Sequence, residues 1–127
     1  MTGSQITPAT YRRLVRTVVA SIPPGRVMAY GAIAGYLAEI TGRASPRLVG
    51  QVMARHGDGL PWHRVVRADG RPARGLEAQA LRLLRQEGAP LVRGGLRVDI
   101  RLAAWGPDGP PDQLPSGAGS SGRMPAL

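Results

Sequence analysis

The side chains that could perform chemistry in this 127-residue chain are few. There are two histidines, His56 and His63, and eight carboxylates, but there is no cysteine. A thiol nucleophile, a disulfide, a cysteine-ligated zinc and an iron–sulfur cluster are therefore excluded. No cluster of carboxylates accompanies the two histidines in the sequence, so we expect neither a metal nor another cofactor.

Arginine dominates the charge of the chain. All seventeen basic residues are arginines, and the formal net charge is +9. Residues 1–105 hold sixteen arginines and six acids, whereas residues 106–127 hold one arginine and two acids. A basic surface attracts polyanions and gains affinity when counterions are released. The charge therefore favours a nucleic-acid partner, although GC-rich coding would also produce an arginine-rich chain.

Composition also sets the expected domain limits. Residues 7–105 have the length of one domain, between a flexible N-terminus, 1–6, and a flexible tail, 106–127, in which thirteen of twenty-two residues are Gly, Pro or Ser. No apolar run approaches the roughly 20 residues needed to cross a bilayer, and the N-terminus lacks a signal-peptide core. We expect a cytoplasmic monomer without a membrane partner, associated with the nucleoid if the source is bacterial.

Apolar residues at helical spacing predict three helices in the first half of the chain. The first follows Thr7-Pro8 and stops at Pro23, and its apolar face comprises Tyr11, Leu14, Val15, Val18, Val19 and Ile22. The second runs from Tyr30 to Thr41 with Gly42 as its C-cap, and its inner face comprises Ile33, Leu37 and Ile40. The third runs from Pro46 to Arg55 after Ser45, and its inner face comprises Leu48, Val49, Val52 and Met53.

The remaining elements complete the predicted fold. The spacing of Leu76, Ala80, Leu83 and Leu84 predicts a fourth helix that ends near Glu87-Gly88. Two short strands, 91–93 and 96–100, flank the turn Gly94-Gly95. The second and third helices form a helix-turn-helix candidate. We therefore predict a mainly α fold with a small β-hairpin wing, that is, a winged-helix-like DNA-binding domain.

The segment Pro61-Trp62-His63-Arg64-Val65 carries the most specific signal. It resembles the Pro-Cys-His-Arg-Val signature of the O6-alkylguanine-DNA alkyltransferases, with tryptophan at the position of the alkyl-accepting cysteine. The resemblance covers roughly residues 7–104 in matching order, including Ile22-Pro23, Tyr30-Gly31, Arg47 with Val49-Gly50, and Glu87-Gly88. Tryptophan at this position is the hallmark of the alkyltransferase-like proteins, which do not transfer the alkyl group.

This resemblance implies a damage-recognition protein rather than an enzyme. It would bind O6-alkylguanine in duplex DNA through the minor groove, flip the nucleotide and mark the lesion for nucleotide excision repair proteins. Arg47 matches the finger that enters the base stack, and Tyr30 matches the tyrosine that promotes rotation. We expect further DNA contacts from Arg26, Arg43, Ser45, Gly50 and Gln51.

The expected lesion pocket and its support lie around the same segment. Besides Tyr30, the predicted pocket comprises Trp62, His63, Val65, Val66 and Arg74. Arg67 and Arg71 are alternatives to Arg74 for the contact with the modified base. In the related enzyme, the counterparts of His63 and Glu87 activate the cysteine. Here we expect His63, Arg64 and Glu87 to form a structural polar network.

The chain departs from the family pattern at two places, and two other functions remain open. His56-Gly57-Asp58-Gly59-Leu60 replaces the family's asparagine hinge, and Ser45-Pro46 replaces the small residues before the finger. A winged-helix transcription regulator would use the same charge in a sequence-dependent manner. A base-processing enzyme working through Glu87, Asp69 or water is a second alternative.

Overall fold

The computed structural model describes residues 6–55 and 59–107. In chain order its elements are α1 (Pro8–Ser21), β1 (Met28–Ala29), α2 (Tyr30–Thr41), α3 (Pro46–Arg55), a 3₁₀ turn (Trp62–Arg64), β2 (Val65–Val66), α4 (Glu77–Gln86) and α5 (Ile100–Ala103). The mainly α fold class is therefore confirmed. The predicted flexible segments, 1–6 and 106–127, lie almost entirely outside the described residues.

Helix α1 begins and ends where its local sequence predicts. The Thr7 hydroxyl caps the helix by accepting a hydrogen bond from the Thr10 N–H (3.1 Å), and Pro8 occupies the first turn. Its apolar face buries Tyr11, Val15 and Val19 completely. These side chains pack against α2 and α3 in one hydrophobic core. Burial of this face holds the three helices together.

The turn between α2 and α3 is fixed by hydrogen bonds from both of its ends and from α1. Gly42 ends α2 in the left-handed conformation with φ 78°. The Thr41 hydroxyl accepts from the Arg43 N–H (3.1 Å), and the Ser45 hydroxyl accepts from the Leu48 N–H (3.2 Å). The buried Tyr11 hydroxyl accepts from the Ser45 N–H (3.0 Å). The first turn of α3 is thereby attached to the core.

The two strands form a parallel pair that separates two hydrophobic clusters. Met28 pairs with Val65, and Ala29 pairs with Val66. Because successive side chains of a strand point to opposite faces, Met28 and Val65 join the core of α1, α2 and α3. Val66 instead joins a second cluster whose other buried members are Val27, Leu84, Ala89, Val98 and Ala103. The pair is therefore the shared wall of the two clusters.

Trp105 closes the fold beside this pair. Its backbone N–H donates to the Val27 carbonyl (2.8 Å), and its side chain packs against the first core. None of the helices within residues 6–55 and 59–107 is long and apolar enough to cross a membrane.

Three sequence predictions about the elements are wrong in detail. The predicted hairpin keeps its turn at Gly94-Gly95, but its strands shorten to one antiparallel bridge between Leu91 and Val98, and Ile100 already begins α5. Ile40 is 57% exposed and Leu76 is 45% exposed, although both were assigned to inner helix faces. The inner face of α2 ends with the buried Thr41 in place of Ile40, and Leu76 precedes α4 rather than lying within it.

Gly70 provides a test of how the loop after β2 docks on the rest of the fold. Its φ is +91°, and a Cβ at this position would collide with the Val98 carbonyl oxygen. We expect Gly70→Ala to lower the free energy of unfolding by about 2–4 kcal/mol, because left-handed strain and overpacking add. Urea denaturation measures this change.

Gly75 supplies the matched control for that substitution. Its φ is +84°, but no heavy atom lies within 4 Å of the position that a Cβ would occupy. Gly75→Ala should therefore cost only the backbone strain, about 1–2 kcal/mol. Equal losses for the two variants would contradict the docking role assigned to Gly70.

Candidate functional site

A cavity of about 480 Å³ lies where the start of α2, the second half of α3, the 3₁₀ turn and the loop before α4 meet. This volume falls in the range of about 300–1,000 Å³ that is typical of small-molecule sites. Its wall combines apolar side chains with one phenol and two guanidinium groups. The lining residues are Tyr30, Gly50, Met53, Ala54, Arg55, Trp62, Ala73, Arg74 and Leu76.

The parallel strand pair places Tyr30 at the cavity. Ala29 and Val66 are partners in the pair, so the residues that follow them, Tyr30 and Arg67, leave the same end of the sheet. Burial raises the pKa of the half-buried Tyr30 hydroxyl, and the nearby Arg67 charge opposes this effect. The phenol therefore stays protonated and can donate a hydrogen bond into the cavity.

Of the three arginines considered for contact with a bound base, the structure places Arg74 in the cavity wall. The Arg67 guanidinium is engaged with the Pro72 carbonyl (3.1 Å). The Arg71 guanidinium lies 3.3 Å from the Asp69 carboxylate. Arg74 is exposed, and among the described residues it forms no ion pair. Its guanidinium is therefore the one available to a ligand.

Trp62 forms part of the cavity wall, whereas three other predicted pocket residues lie behind it. His63, Val65 and Val66 are buried and are not among the lining residues. The edge of the Trp62 ring meets the His63 ring at 83°, with the centroids 5.9 Å apart. His63 therefore supports the wall from within, and the two valines pack into the hydrophobic clusters instead of forming a pocket floor.

Glu87 is the centre of a polar network behind this wall. The Arg64 guanidinium donates to its carboxylate (2.6 Å), His63 Nε2 lies 2.7 Å from it, and the Gly25 N–H donates to it (3.0 Å). Burial of this carboxyl raises its pKa, but the hydrogen bonds from Arg64, His63 and Gly25 outweigh burial and hold the pKa at about 2. A second Arg64 nitrogen donates to the Ile22 carbonyl (2.9 Å).

This network involves all three residues that the sequence analysis grouped together. Its hydrogen bonds connect the end of α1, the turn before β1, the 3₁₀ turn and the end of α4. Because the carboxylate is ionised and saturated with donors, it is poorly suited to accept a proton at neutral pH.

Helix α3 presents the predicted DNA-contact residues on its outer side. Arg47 is exposed near its start, and Gln51 is half-buried. A Cβ on Gly50 would meet no other heavy atom within 4 Å, so the surface at this position is low and open. Such a surface permits close approach of another backbone.

The other predicted DNA-contact residues have different local roles. Arg43 is exposed in the turn between α2 and α3. The Ser45 hydroxyl caps α3, as described above, and the Arg26 guanidinium donates to the Leu102 carbonyl (3.2 Å). Ser45 is therefore structural in the free protein, while Arg26 lies beside α5.

Sequence reasoning missed several residues of the cavity wall. Met53 was assigned to the core, while Ala54, Arg55, Ala73 and Leu76 were given no role in the pocket. The available signal was the helical spacing of Met53 and Ala54 from Gly50, which places all three on adjoining parts of one helix surface. Within residues 6–55 and 59–107, no group of three potential ligands could hold a metal ion.

Comparisons with known proteins give one consistent result. The DNA-binding domain of 6-O-methylguanine DNA methyltransferase matches residues 10–89. The crystal structure of S. pombe Atl1 in complex with damaged DNA containing O6-carboxymethylguanine is similar to this chain, with 27% identity and a TM-score of 0.66. The match covers 80% of this chain and 100% of that one.

A second structure agrees with the first. The S. pombe ATL protein in complex with DNA is 28% identical with a TM-score of 0.62, covering 81% of this chain and 100% of its own. No curated protein sequence matches the chain.

The Glu87 network makes the free energy of unfolding depend on pH in the acid range. The Glu87 carboxyl has a pKa of about 2 in the folded chain against an ordinary value of 4.5. Its contribution to stability is therefore complete above pH 4.5 and is lost as the pH falls towards 2. The difference between these two pKa values corresponds to about 3 kcal/mol of folding stability. We expect Glu87→Gln to remove most of this acid-dependent loss, and to lower the free energy of unfolding at pH 6 by about 3 kcal/mol because Arg64 loses its partner.

Urea denaturation at pH 6, 4 and 3 measures both effects. Glu39→Gln is the matched control, because Glu39 is an exposed residue of α2. If Glu87→Gln and Glu39→Gln shared the wild-type pH dependence, the network would not be the source of the acid sensitivity.

Proposed function

The chain belongs to the family of the 6-O-methylguanine DNA methyltransferase DNA-binding domain, as an alkyltransferase-like protein, and from this premise we propose that it recognises DNA lesions without repairing them. The lesion is O6-alkylguanine in duplex DNA. Support comes from Atl1, whose crystal structure holds damaged DNA containing O6-carboxymethylguanine. The net positive charge of the chain is consistent with such a partner.

The observation that carries this proposal is the presence of Trp62 in the cavity wall. The family motif has its alkyl-accepting cysteine at this position, and the chain has no cysteine elsewhere. Dealkylation requires a thiolate that attacks the carbon attached to guanine O6. An indole cannot supply that nucleophile, but its flat apolar face can pack against a base or an alkyl group. The site therefore binds without transfer.

Access to the cavity requires nucleotide flipping. A base inside a duplex is stacked and paired, and extruding it costs about a few kcal/mol, less where pairing is already weak. Alkylation at O6 weakens pairing, so the lesion is extruded more readily than guanine. Arg47 fills the vacated space in the stack, and Tyr30 crowds the adjacent phosphate and favours rotation.

Helix α3 approaches the DNA from the minor groove. The low surface at Gly50 admits the DNA backbone, while Arg47, Arg43 and Gln51 lie nearby on the same helix or on the turn before it. Small residues and inserted side chains are common in proteins that bend DNA through the minor groove. After flipping, Arg74 stacks over the modified base, because a guanidinium plane packs well on a π-face.

The bound complex serves as a signal. A protein that holds a lesion without reacting with it benefits the cell only if other proteins then act on the site. We therefore infer that a monomer of the chain marks the lesion for nucleotide excision repair proteins.

The first test compares matched duplexes that contain guanine or O6-methylguanine. We expect tighter binding of the methylated duplex at a fixed salt concentration, with intact alkylated DNA and unmodified protein afterwards. Fluorescence anisotropy gives the dissociation constants, and mass spectrometry examines both molecules. Equal dissociation constants or a strong dependence on flanking sequence would favour a transcription regulator. Release of the base or transfer of the methyl group would indicate an enzyme.

The second test concerns the inserted arginine. We expect Arg47→Ala to weaken binding of the O6-methylguanine duplex by about 1–3 kcal/mol, the range for losing a side chain that stacks on bases. Arg82→Ala is the control, because it removes the same charge from an exposed position on α4. A similar loss of affinity in both variants would show that Arg47 contributes only its positive charge to DNA binding.

A further inference from the structure

A second basic surface lies in the part of the molecule that the strand pair separates from α3. It consists of two exposed arginines of α4 and two exposed arginines beside the turn Gly94-Gly95, and we call it the turn surface: Arg82, Arg85, Arg93 and Arg97. Because Leu84 and Val98 are buried in the second cluster, α4 and the turn belong to that cluster. The buried side chains of α3 belong to the first cluster. The turn surface and the DNA-contact residues of α3 therefore lie on different sides of the strand pair.

Hydrogen bonds hold the turn against α4. The Arg85 guanidinium donates to the Gly95 carbonyl (3.0 Å), and the Val92 N–H donates to the Arg97 carbonyl (2.9 Å). Gly94 and Gly95 both have a positive φ, 94° and 71°, which glycine adopts without strain. A Cβ on Gly95 would lie 2.9 Å from a guanidinium nitrogen of Arg85. The arginines of the turn and those of α4 therefore form one continuous surface.

The carboxylates of the chain do not neutralise this surface. Every ion pair within residues 6–55 and 59–107 involves a basic residue outside the turn surface. Of the eight acidic residues in the chain, three lie outside the described residues: Asp58, Asp108 and Asp112. Even three ion pairs with these carboxylates would leave one of the four arginines without a partner. The turn surface therefore keeps a positive charge, which attracts polyanions over a distance.

A DNA backbone fits the turn surface better than a protein partner does. Arginine side chains bind phosphate through charge-assisted hydrogen bonds, and each contact releases counterions from the DNA. The glycine pair of the turn has no side chains, so a backbone can approach it closely. Leu96 is 73% exposed, but one apolar side chain among arginines is too small for the hydrophobic centre of a protein interface. The expected ligand of the turn surface is therefore a row of phosphates.

We propose that the turn surface binds the phosphate backbone of a second DNA duplex while α3 holds the damaged one. This inference rests on the proposed function, since it assigns the lesion-bearing duplex to α3. The second contact is independent of base sequence, because it involves phosphates and not base edges. One protein molecule thereby bridges two DNA segments.

A capture experiment tests this bridging. A short O6-methylguanine duplex is immobilised, the full-length protein is bound to it, and unbound protein is washed away. A fluorescent undamaged duplex is then added at several salt concentrations, and its dissociation constant is measured. We expect capture that requires the protein, and sedimentation of the complex in solution should give one protein molecule with two duplexes.

Variants of the turn surface separate phosphate contacts from general charge. Arg93→Gln with Arg97→Gln should weaken capture at low salt at least about tenfold. Each lost phosphate contact reduces the slope of log K against log salt by about 0.9, so this double variant should reduce it by about 1.8. Arg93→Lys with Arg97→Lys keeps both charges and should retain most of the capture. Arg12→Gln with Arg13→Gln, the matched control on α1, should leave capture unchanged.

Two further variants test other occupants of the turn surface. Leu96→Ser should leave capture unchanged, whereas its loss, or a complex with two protein molecules, would indicate an apolar contact between two copies of the chain. Asp108→Asn with Asp112→Asn should also leave capture unchanged. A large rise in capture would instead make the tail carboxylates the occupant. Either result overturns the inference.

The remaining outcomes distinguish the inference from the proposed function. Absence of capture by the wild-type protein overturns the inference and leaves an acidic protein as the partner of the turn surface. An equal loss in the α1 control also overturns it. If the Arg93 and Arg97 variant weakens binding of the single O6-methylguanine duplex as much as capture, the turn contacts the same DNA, and the inference fails. In each case, a persisting preference for O6-methylguanine over guanine leaves the proposed function standing, and its absence overturns both.

Discussion

The rest of the structure depends on the hydrogen bonds that the Glu87 carboxylate accepts. It accepts hydrogen bonds from Arg64 and from the Gly25 N–H, and it lies against His63. An unpaired carboxylate at this half-buried position would be costly, and so would an unpaired guanidinium. Together they join the two hydrophobic clusters, because Gly25 precedes β1 while Glu87 ends α4. Even the backbone is adapted to this contact, since a Cβ on Gly25 would lie 3.0 Å from the Glu87 carbonyl oxygen.

The cavity follows from this arrangement. The network holds the 3₁₀ turn, so Trp62 faces the cavity while its neighbour His63 faces inward. The parallel pair then brings Tyr30 to the same place from a different part of the chain. In the related enzymes the resemblance assigns the histidine and the glutamate to activation of a thiol. In this chain the same contacts serve to position an aromatic wall.

Local patterns predicted most of the fold, and contacts between distant segments account for most of what was missed. The limits of α2 and α3 follow from Gly42, Ser45 and Pro46, which act on their own neighbours. The parallel pair has two residues per strand, which is too short for any periodicity, and its partners lie 37 residues apart in sequence. Trp62 was predicted from the family motif, whereas the place of Leu76 in the cavity wall depends on packing that no spacing shows.

The hydrogen bond between the Tyr11 hydroxyl and the Ser45 N–H has a consequence for how this protein can change through evolution. It attaches Ser45, two residues before Arg47, to a fully buried side chain of α1. Substitutions in that core and substitutions in the turn are therefore energetically coupled, and their effects will not add. A lineage that alters the start of α3 is therefore under pressure to adjust the packing of α1 as well, so the history of this surface is recorded partly in residues of the core.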